Sequence, residues 1–365
     1  MNIGVPKERR PFEFRVGLPP AGAAMFTRFG HKVYVESGAG EGAGFSDHDY
    51  TGAGATVVYT AEEAFGRADL VLKFARPLAQ ELELLPEGVT VAGFLHLAAA
   101  RQDKIDVLLA KRITALAYEQ IEEDDGSRPV MAPLSRIGGR MVVQTAAALL
   151  QNNQGGRGIL LGGVAGVPAA EVVILGAGVV GSTAAAGFAA AGAHVSVLDV
   201  KLSRLQALQD HLALPMVTLL STPHNVGRAT AYADIVIGAV LVPGERAPLL
   251  VTRAMVANMR PRSLIIDMSI DQGGCVETSR PTNHSSPTFV EEGIVHYCVP
   301  NMSGVLGRTA THALYAGAYA YLEAIARLGL SEALEGLAPL SRGLNTLRGE
   351  VRSLRRLTAD AGDAS

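Results

Sequence analysis

The stretch Gly176-Ala177-Gly178-Val179-Val180-Gly181 has the residue types and spacing to hold a diphosphate. It follows the apolar run EVVIL and opens STAAAGFAAAGA, a run of small residues suited to a helix packed close on a sheet. In such a loop Gly176 permits the tight turn, Gly178 lets the backbone approach a pyrophosphate, and Gly181 lets helix and strand pack closely. The helix N-terminus adds unpaired N–H groups and a positive dipole end. The next apolar run, HVSVLD, ends in Asp199. An acid about twenty residues past the glycines accepts ribose hydroxyls and repels a 2′-phosphate. The glycine spacing alone is a weak signal, shared with ligand-free Gly-rich turns. With strand, helix and terminal acid in place it predicts a dinucleotide cofactor, NAD over NADP, although Lys201 and Arg204 lie close to the acid.

A second set of residues could act on a small substrate. In open parallel sheets, ligands bind beyond the carboxyl ends of the strands. Lys73 ends the run ADLVLK, His96 ends VTVAGFLH, Asp271 follows SLIIDMSI, and Arg15 lies in EFRVGLPP near the first strand and helix. Facing one cleft, they would supply fixed cations, a general acid/base and an anion. Each also has a plainer reading. Arg15 could be a surface salt-bridge partner, and His96 a hydrogen-bonded structural histidine. Asp271, before Gln-Gly-Gly, could cap a turn. Lys73 is one of six lysines, and inside an apolar run it needs a partner or must reach for water. His296, in IVHYCV, reads as a strand residue, and His312, in THALY, as a helix residue. No H-x-x-x-H or carboxylate cluster argues for a metal.

The elements that must position these residues are legible as short apolar runs alternating with Ala/Leu-rich helical stretches, the pattern of parallel α/β folds. The first set of runs is HKVYVES, ATVVY, ADLVLKF, VTVAGF and ITALAY; the second is EVVILGAG, HVSVLD, ADIVIGAVLV, SLIIDMS and IVHYCV. In AAARQDKIDVLLAKR, Ile105, Leu108 and Leu109 share one helical face. The expected fold class is therefore α/β: two Rossmann-like, doubly wound domains with mainly parallel sheets, joined by long helices at 136–154 and 308–328. The expected division is 1–130 plus 308–365 for the substrate domain and 131–307 for the nucleotide domain, with the final RGEVRSLRRLTADAGDAS a polar helix fading into a frayed tail. The 365 residues suit two domains. Apolar residues make up 48% and charged residues 18%, so a large core can form and disorder is excluded as the overall state. A net charge of −3 gives no reason to expect nucleic acid. Cys275 and Cys298 form no CxxC, which excludes a disulfide scaffold and a thiolate zinc site. The N-terminus lacks a signal pattern and no apolar run suits a membrane span, so a cytoplasmic location is expected.

Taken together, these features resemble one family. EFRVGLPPAG, VLKFARP, GFLHLAA, GGRGILLGGVAGV, VVILGAGVVG, VIGAVLVPGERAP, IIDMSIDQGGC, SRPTNHSSPTF and YCVPNMSG occur in the order found in the alanine dehydrogenases. That family shares its fold with the NAD-binding part of proton-translocating transhydrogenase, and the resemblance runs from Met1 to about Leu347. It implies oxidative deamination of L-alanine to pyruvate and ammonia with NAD, and the reverse. By resemblance, Arg15 and Lys73 bind the substrate carboxylate and keto oxygen, His96 is the acid/base, and Asp271 activates water or ammonia. The cofactor positions it implies are Ser135, Gly176, Gly178, Gly181, Asp199, Arg204, Ser221, Val240, Leu241, Asn301 and Met302. It also implies a homo-oligomer, a hexamer, which the Ala-rich apolar run 308–328 suits. The alternatives are a relative acting on another amino acid, keto acid or imine, a transhydrogenase-like subunit, and a non-catalytic NAD-binding protein.

Several positions depart from the family pattern. Ala75-Arg76-Pro77 stands for the usual Lys-Glu-Pro, and Ser135-Arg136-Ile137-Gly138-Gly139-Arg140 for Ser-Glu-Val-Ala-Gly-Arg. Pro19 replaces Thr, and Cys-Val-Pro-Asn replaces Cys-Val-Ala-Asn. If Arg76 and Arg136 approach the substrate, a larger or more acidic keto acid would be favoured. If they face solvent or pair with an acid such as Glu8 or Glu119, pyruvate remains the expected substrate.

Overall fold

A computed structural model describes residues 1–211, 215–242 and 246–354. They form two compact units: Met1–Leu134 together with the described residues from Ser303 onward, and Ser135–Met302. The first unit holds β1 (Asn2–Val5), β2 (Lys32–Glu36), β3 (Thr56–Val58), β4 (Leu70–Ala75), β5 (Thr90–Phe94) and β6 (Thr114–Ala117). The second holds β7 (Glu171–Leu175), β8 (His194–Asp199), β9 (Val217–Leu220), β10 (Ile235–Gly238), β11 (Leu264–Asp267), β12 (Thr288–Glu291) and β13 (Ile294–Tyr297). The chain then returns to the first unit for β14 (Leu344–Leu347) and β15 (Glu350–Val351).

Both units are doubly wound. The second sheet runs β12-β13-β11-β10-β7-β8-β9. Its parallel part is the 3-2-1-4-5-6 order of dinucleotide-binding sheets, with the chain reversing direction between β7 and β10. β12 is an antiparallel addition on β13. The first sheet runs β15-β14-β6-β5-β4-β1-β2-β3, the same parallel order with an antiparallel hairpin on β6. The central strands are continuous apolar runs because helices cover both faces. Val172 and Ile174 face one apolar cluster, with Phe188, Val195 and Val197, while Val173 and Leu175 face another, with Val226 and Val236.

The two long helices expected at 136–154 and 308–328 are Ala132–Leu149 and Gly307–Leu328. A short 3₁₀ turn, Asn152–Gln154, follows the first. In Gln102–Ala110, Ile105 and Leu108 are buried and Leu109 is half-buried. The described start of the tail expected as a polar helix, residues 348–354, holds no helix. Residues 344–351 form the β14–β15 hairpin, with Thr346 opposite Val351. Its two-residue turn is Arg348-Gly349, at φ 50° and 88°. Positive φ at both central residues matches the twist of a hairpin and is foreign to a helix. The rest of that tail, 355–365, lies outside the described residues, as do Pro243–Glu245 of the AVLVPGER string.

Candidate active site

The glycine loop leaves the carboxyl end of β7 in the second unit. Gly176 has φ +106°, and a Cβ there would stand 2.5 Å from the Ala239 carbonyl oxygen. A Cβ on Gly181 would stand 1.8 Å from the Gly176 carbonyl oxygen, so the helix Val179–Ala190 can sit this close only with glycine. Gly178 differs: nothing lies within 4 Å of where its Cβ would be. Its missing side chain leaves open space over the helix N-terminus, where backbone N–H groups can meet a phosphate. Asp199 ends β8 and is 4% exposed. One of its oxygens accepts from the Ala177 N–H at 2.8 Å and the other from the Lys201 N–H at 2.8 Å, while Arg204 Nη1 lies 3.6 Å away. The carboxylate thus fixes the glycine loop and retains lone pairs for a ribose. The residues present fit a dinucleotide. Ser221 follows β9 and donates its N–H to the Asp199 carbonyl. Val240 donates its N–H to Ser269 Oγ, and Leu241 is exposed. Ser135 lies on the helix Ala132–Leu149, one turn before Gly139. A Cβ on Gly139 would stand 2.6 Å from the Val180 oxygen, so this helix seats directly on the first turn of Val179–Ala190.

Asp271 lies in the same unit, exposed in a 3₁₀ turn beyond β11. It accepts the Asn301 N–H at 3.3 Å, and Asn301 holds φ 53°. Met302, next in the chain, is buried. The loop carrying Asp271 is closed by Asp267, the last residue of β11, which sequence reasoning missed. Asp267 is 1% exposed and accepts from the N–H groups of Ser269 (3.0 Å), Cys275 (2.9 Å) and Val276 (3.3 Å). Burial pushes its carboxyl above the usual range, against the pull of these donors and Ser279. Burial and the neighbouring Asp267 raise the Cys275 thiol, and burial raises the Cys298 thiol to about 11. His296 is a fully buried strand residue, stacked on Phe289 and bonded to Thr278 Oγ1 at 2.8 Å.

In the first unit Arg15 and Lys73 come together as buried cations. A Cβ on Gly17 would stand 2.2 Å from the Leu72 oxygen, so the segment carrying Arg15 runs hard against β4. The Arg15 guanidinium makes a two-pronged pair with the Glu13 carboxylate, reaches Ser303 Oγ at 3.2 Å, and stacks 3.8 Å from the centroid of Phe74. Lys73, within β4, is 0% exposed. Its ammonium donates to Glu81 at 2.8 Å and lies 3.1 Å from Glu8. Burial pulls the Lys73 pKa down, but Glu8 and Glu81 outweigh it and hold it above the usual value. Burial raises the Glu8 carboxyl even though Lys73 opposes it. Removing one partner of such a buried set costs about 3–5 kcal/mol. Glu13 and Glu81 were not singled out in the sequence; no local pattern distinguishes a buried acid among 35.

His96 follows β5 at φ 45°, ψ 41°, a left-handed conformation that side chains rarely adopt. Glu119 holds it there, accepting the His96 N–H at 2.6 Å and the Leu95 N–H at 3.2 Å, with an oxygen 3.9 Å from His96 Nδ1. The imidazole is half exposed, available for proton transfer. The rings of Phe74, Phe94 and His96 follow one another at 5.7 and 6.2 Å, linking the Arg15 cluster to His96. Arg76 is half-buried, and its carbonyl accepts from the Arg10 guanidinium. Arg136 is exposed. Neither is paired with Glu8 or Glu119, which serve Lys73 and His96. His312 lies on the helix Gly307–Leu328, its ring edge-on to Phe45 at 5.4 Å.

Comparison with known proteins shows likeness over nearly the whole chain. Residues 4–138 match the family model for the alanine dehydrogenase/PNT N-terminal domain, and 142–353 that for the alanine dehydrogenase/PNT C-terminal domain. An alanine dehydrogenase of Methanococcus maripaludis is 45% identical over 352 residues, 96% of this chain and 94% of that one. A solved L-alanine dehydrogenase superposes with a TM-score of 0.91 at 45% identity, covering 96% of each chain. A transhydrogenase from Sinorhizobium meliloti superposes with a TM-score of 0.80 at 26% identity, covering 96% of this chain and 98% of that one. With both domain models matched in order, and near-full-length relatives at this identity, the chain belongs to the alanine dehydrogenase/PNT family.

Proposed function

We propose that this protein is an NAD-dependent alanine dehydrogenase, interconverting L-alanine, NAD⁺ and water with pyruvate, ammonium, NADH and a proton. The observation that carries the reading is the conjunction in one unit, in a chain 45% identical to an alanine dehydrogenase, of two buried cations and, just past the end of β5, a strained, carboxylate-braced histidine. The glycine loop and Asp199 would hold NAD, which would supply the hydride acceptor. Arg15 and Lys73 bind the substrate carboxylate and keto oxygen; a guanidinium fork suits the first and a point charge the second. His96 takes up and returns the proton at the carbonyl or carbinolamine oxygen. Asp271 orients the water or ammonia that adds to the substrate carbon and takes the proton that the nucleophile sheds as the bond forms. Ser135, Arg204, Ser221, Val240, Leu241, Asn301 and Met302 complete the cofactor contacts. Glu8, Glu13 and Glu81 already face the two substrate cations, so a second anionic group on the substrate is not needed, and pyruvate is the preferred keto acid.

We place the enzyme in the cytoplasm as a homo-hexamer; among the described residues no helix is long and apolar enough to cross a membrane. The test is NADH and NADPH oxidation with ammonium and a panel of 2-keto acids. The expected result is turnover with pyruvate and NADH. Turnover only with oxaloacetate or 2-oxoglutarate would move the substrate. Tight NADH binding with no turnover would favour the transhydrogenase-like reading, to which the Sinorhizobium meliloti likeness lends support.

A further inference from the structure

The sheet of the first unit is interrupted at Lys73. β4 and β5 pair in register up to Leu72, and the register shifts before Ala75. Such a bulge takes backbone groups out of the ladder and re-aims the neighbouring side chain. Here the Phe74 and Ala75 N–H groups both go to one oxygen of Glu8, at 2.7 and 3.3 Å. The other oxygen of Glu8 lies 3.1 Å from Lys73 Nζ. One carboxylate therefore closes the bulge and holds the ammonium that the bulge displays. Glu81 gives one oxygen to Lys73 and the other to the Leu78 N–H at 2.7 Å. An ammonium has three N–H donors. Glu81 takes one in a hydrogen bond and Glu8 stands at ion-pair distance, and among the described residues the ammonium has no further polar partner. An unmatched donor on a fully buried cation is costly, and a substrate oxygen would satisfy it.

We propose that Glu8 is the positioning residue of this site: it locks the β4 bulge and the Lys73 ammonium together, so that the remaining N–H is held for the substrate's keto oxygen. This rests on Lys73 being a substrate ligand, as read above. The charged groups around Lys73 are Glu8, from the segment after β1, and Glu81, from the helix Ala79–Leu84; Glu13 and Arg10 stand next to Glu8.

The test measures pyruvate-dependent NADH oxidation against pH for the wild-type protein, Glu8→Gln and Glu8→Asp, with NADH binding followed separately by fluorescence. Gln keeps an acceptor for the bulge but presents no charge to Lys73. Glu81 alone then opposes burial, and the ammonium loses its proton at lower pH. The expected result for Glu8→Gln is a KM for pyruvate raised roughly tenfold with kcat changed less. The alkaline limb of its kcat/KM profile moves down by about one pH unit, and NADH affinity is unchanged. Asp keeps the charge but is one methylene too short to span both contacts. Its alkaline limb stays in place while KM rises about threefold. Glu8→Gln with a wild-type KM and an unmoved alkaline limb overturns the assignment. So does a variant in which kcat and NADH affinity fall together with the limb unmoved. Should Glu8→Gln not fold, an unchanged KM in Glu8→Asp overturns it and a raised KM with intact NADH affinity supports it. A wild-type protein that turns over no keto acid overturns both the reaction and this assignment; normal wild-type turnover with unmoved variants overturns this assignment alone.

Discussion

At the scale of single residues, Asp199 ties the Ala177 and Lys201 N–H groups, and the proposed function gives the same side chain a second task at the ribose. Asp199→Ala is therefore expected to weaken NAD binding and relax the bias against NADP, and also to lower stability by about 1–3 kcal/mol, the cost of stranding buried N–H groups. Thermal melting together with NADH and NADPH titrations separates the two effects; unchanged cofactor preference would remove Asp199 from the ribose. His96→Ala and Asp271→Ala are each expected to lower turnover by roughly 10²–10⁴, the scale of a positioned acid or base, with NADH binding retained. Near-normal turnover in either variant would take that residue out of the reaction. Lys73, His96 and Asp271 stood out in the sequence as ionisable residues at or just past the ends of apolar runs, and the family resemblance joined Arg15 to them. Their partners Glu13, Glu81 and Asp267 did not, because which acid is buried is decided by packing between segments far apart in the chain.

At the scale of elements, the glycine loop makes a sharp contrast between two substitutions. A Cβ on Gly178 meets nothing within 4 Å, whereas one on Gly181 stands 1.8 Å from backbone oxygen. Gly178→Ala should fold with a near-wild-type melting temperature but bind NADH at least tenfold more weakly, because the methyl stands where a phosphate approaches. Gly181→Ala should lose both stability and binding, overpacking costing about 1–3 kcal/mol or more. Calorimetry on the pair checks this, and normal NADH affinity in Gly178→Ala would remove the pyrophosphate from this loop. The longer apolar strands, such as β4, β5, β7 and β8, were legible because burial on both faces leaves an unbroken apolar run. β9, β12 and the β14–β15 hairpin were not. Leu344–Leu347 reads Leu-Asn-Thr-Leu, with no alternation, and its hairpin partner is two residues long, so its pairing on β6 rather than its own pattern makes it a strand. The expected C-terminal helix failed at Arg348-Gly349, whose positive φ angles build a turn.

At the scale of the whole molecule, two sheets of one parallel order recur in one chain, one built on residues 1–134 with the C-terminal return and one on 135–302. The repeat of apolar runs foretold this, since each doubly wound sheet needs its own set. Assembly is a separate expectation: sedimentation at micromolar protein should show a hexamer, and a monomer would contradict it. Chemistry is tested most directly by supplying L-alanine deuterated at the α-carbon with NAD and following the label. The expected result is NADH carrying that deuterium, formed in step with equimolar pyruvate and ammonium. No alanine-dependent reduction of NAD, or reduced cofactor without the label, would contradict the assignment of this protein as an alanine dehydrogenase.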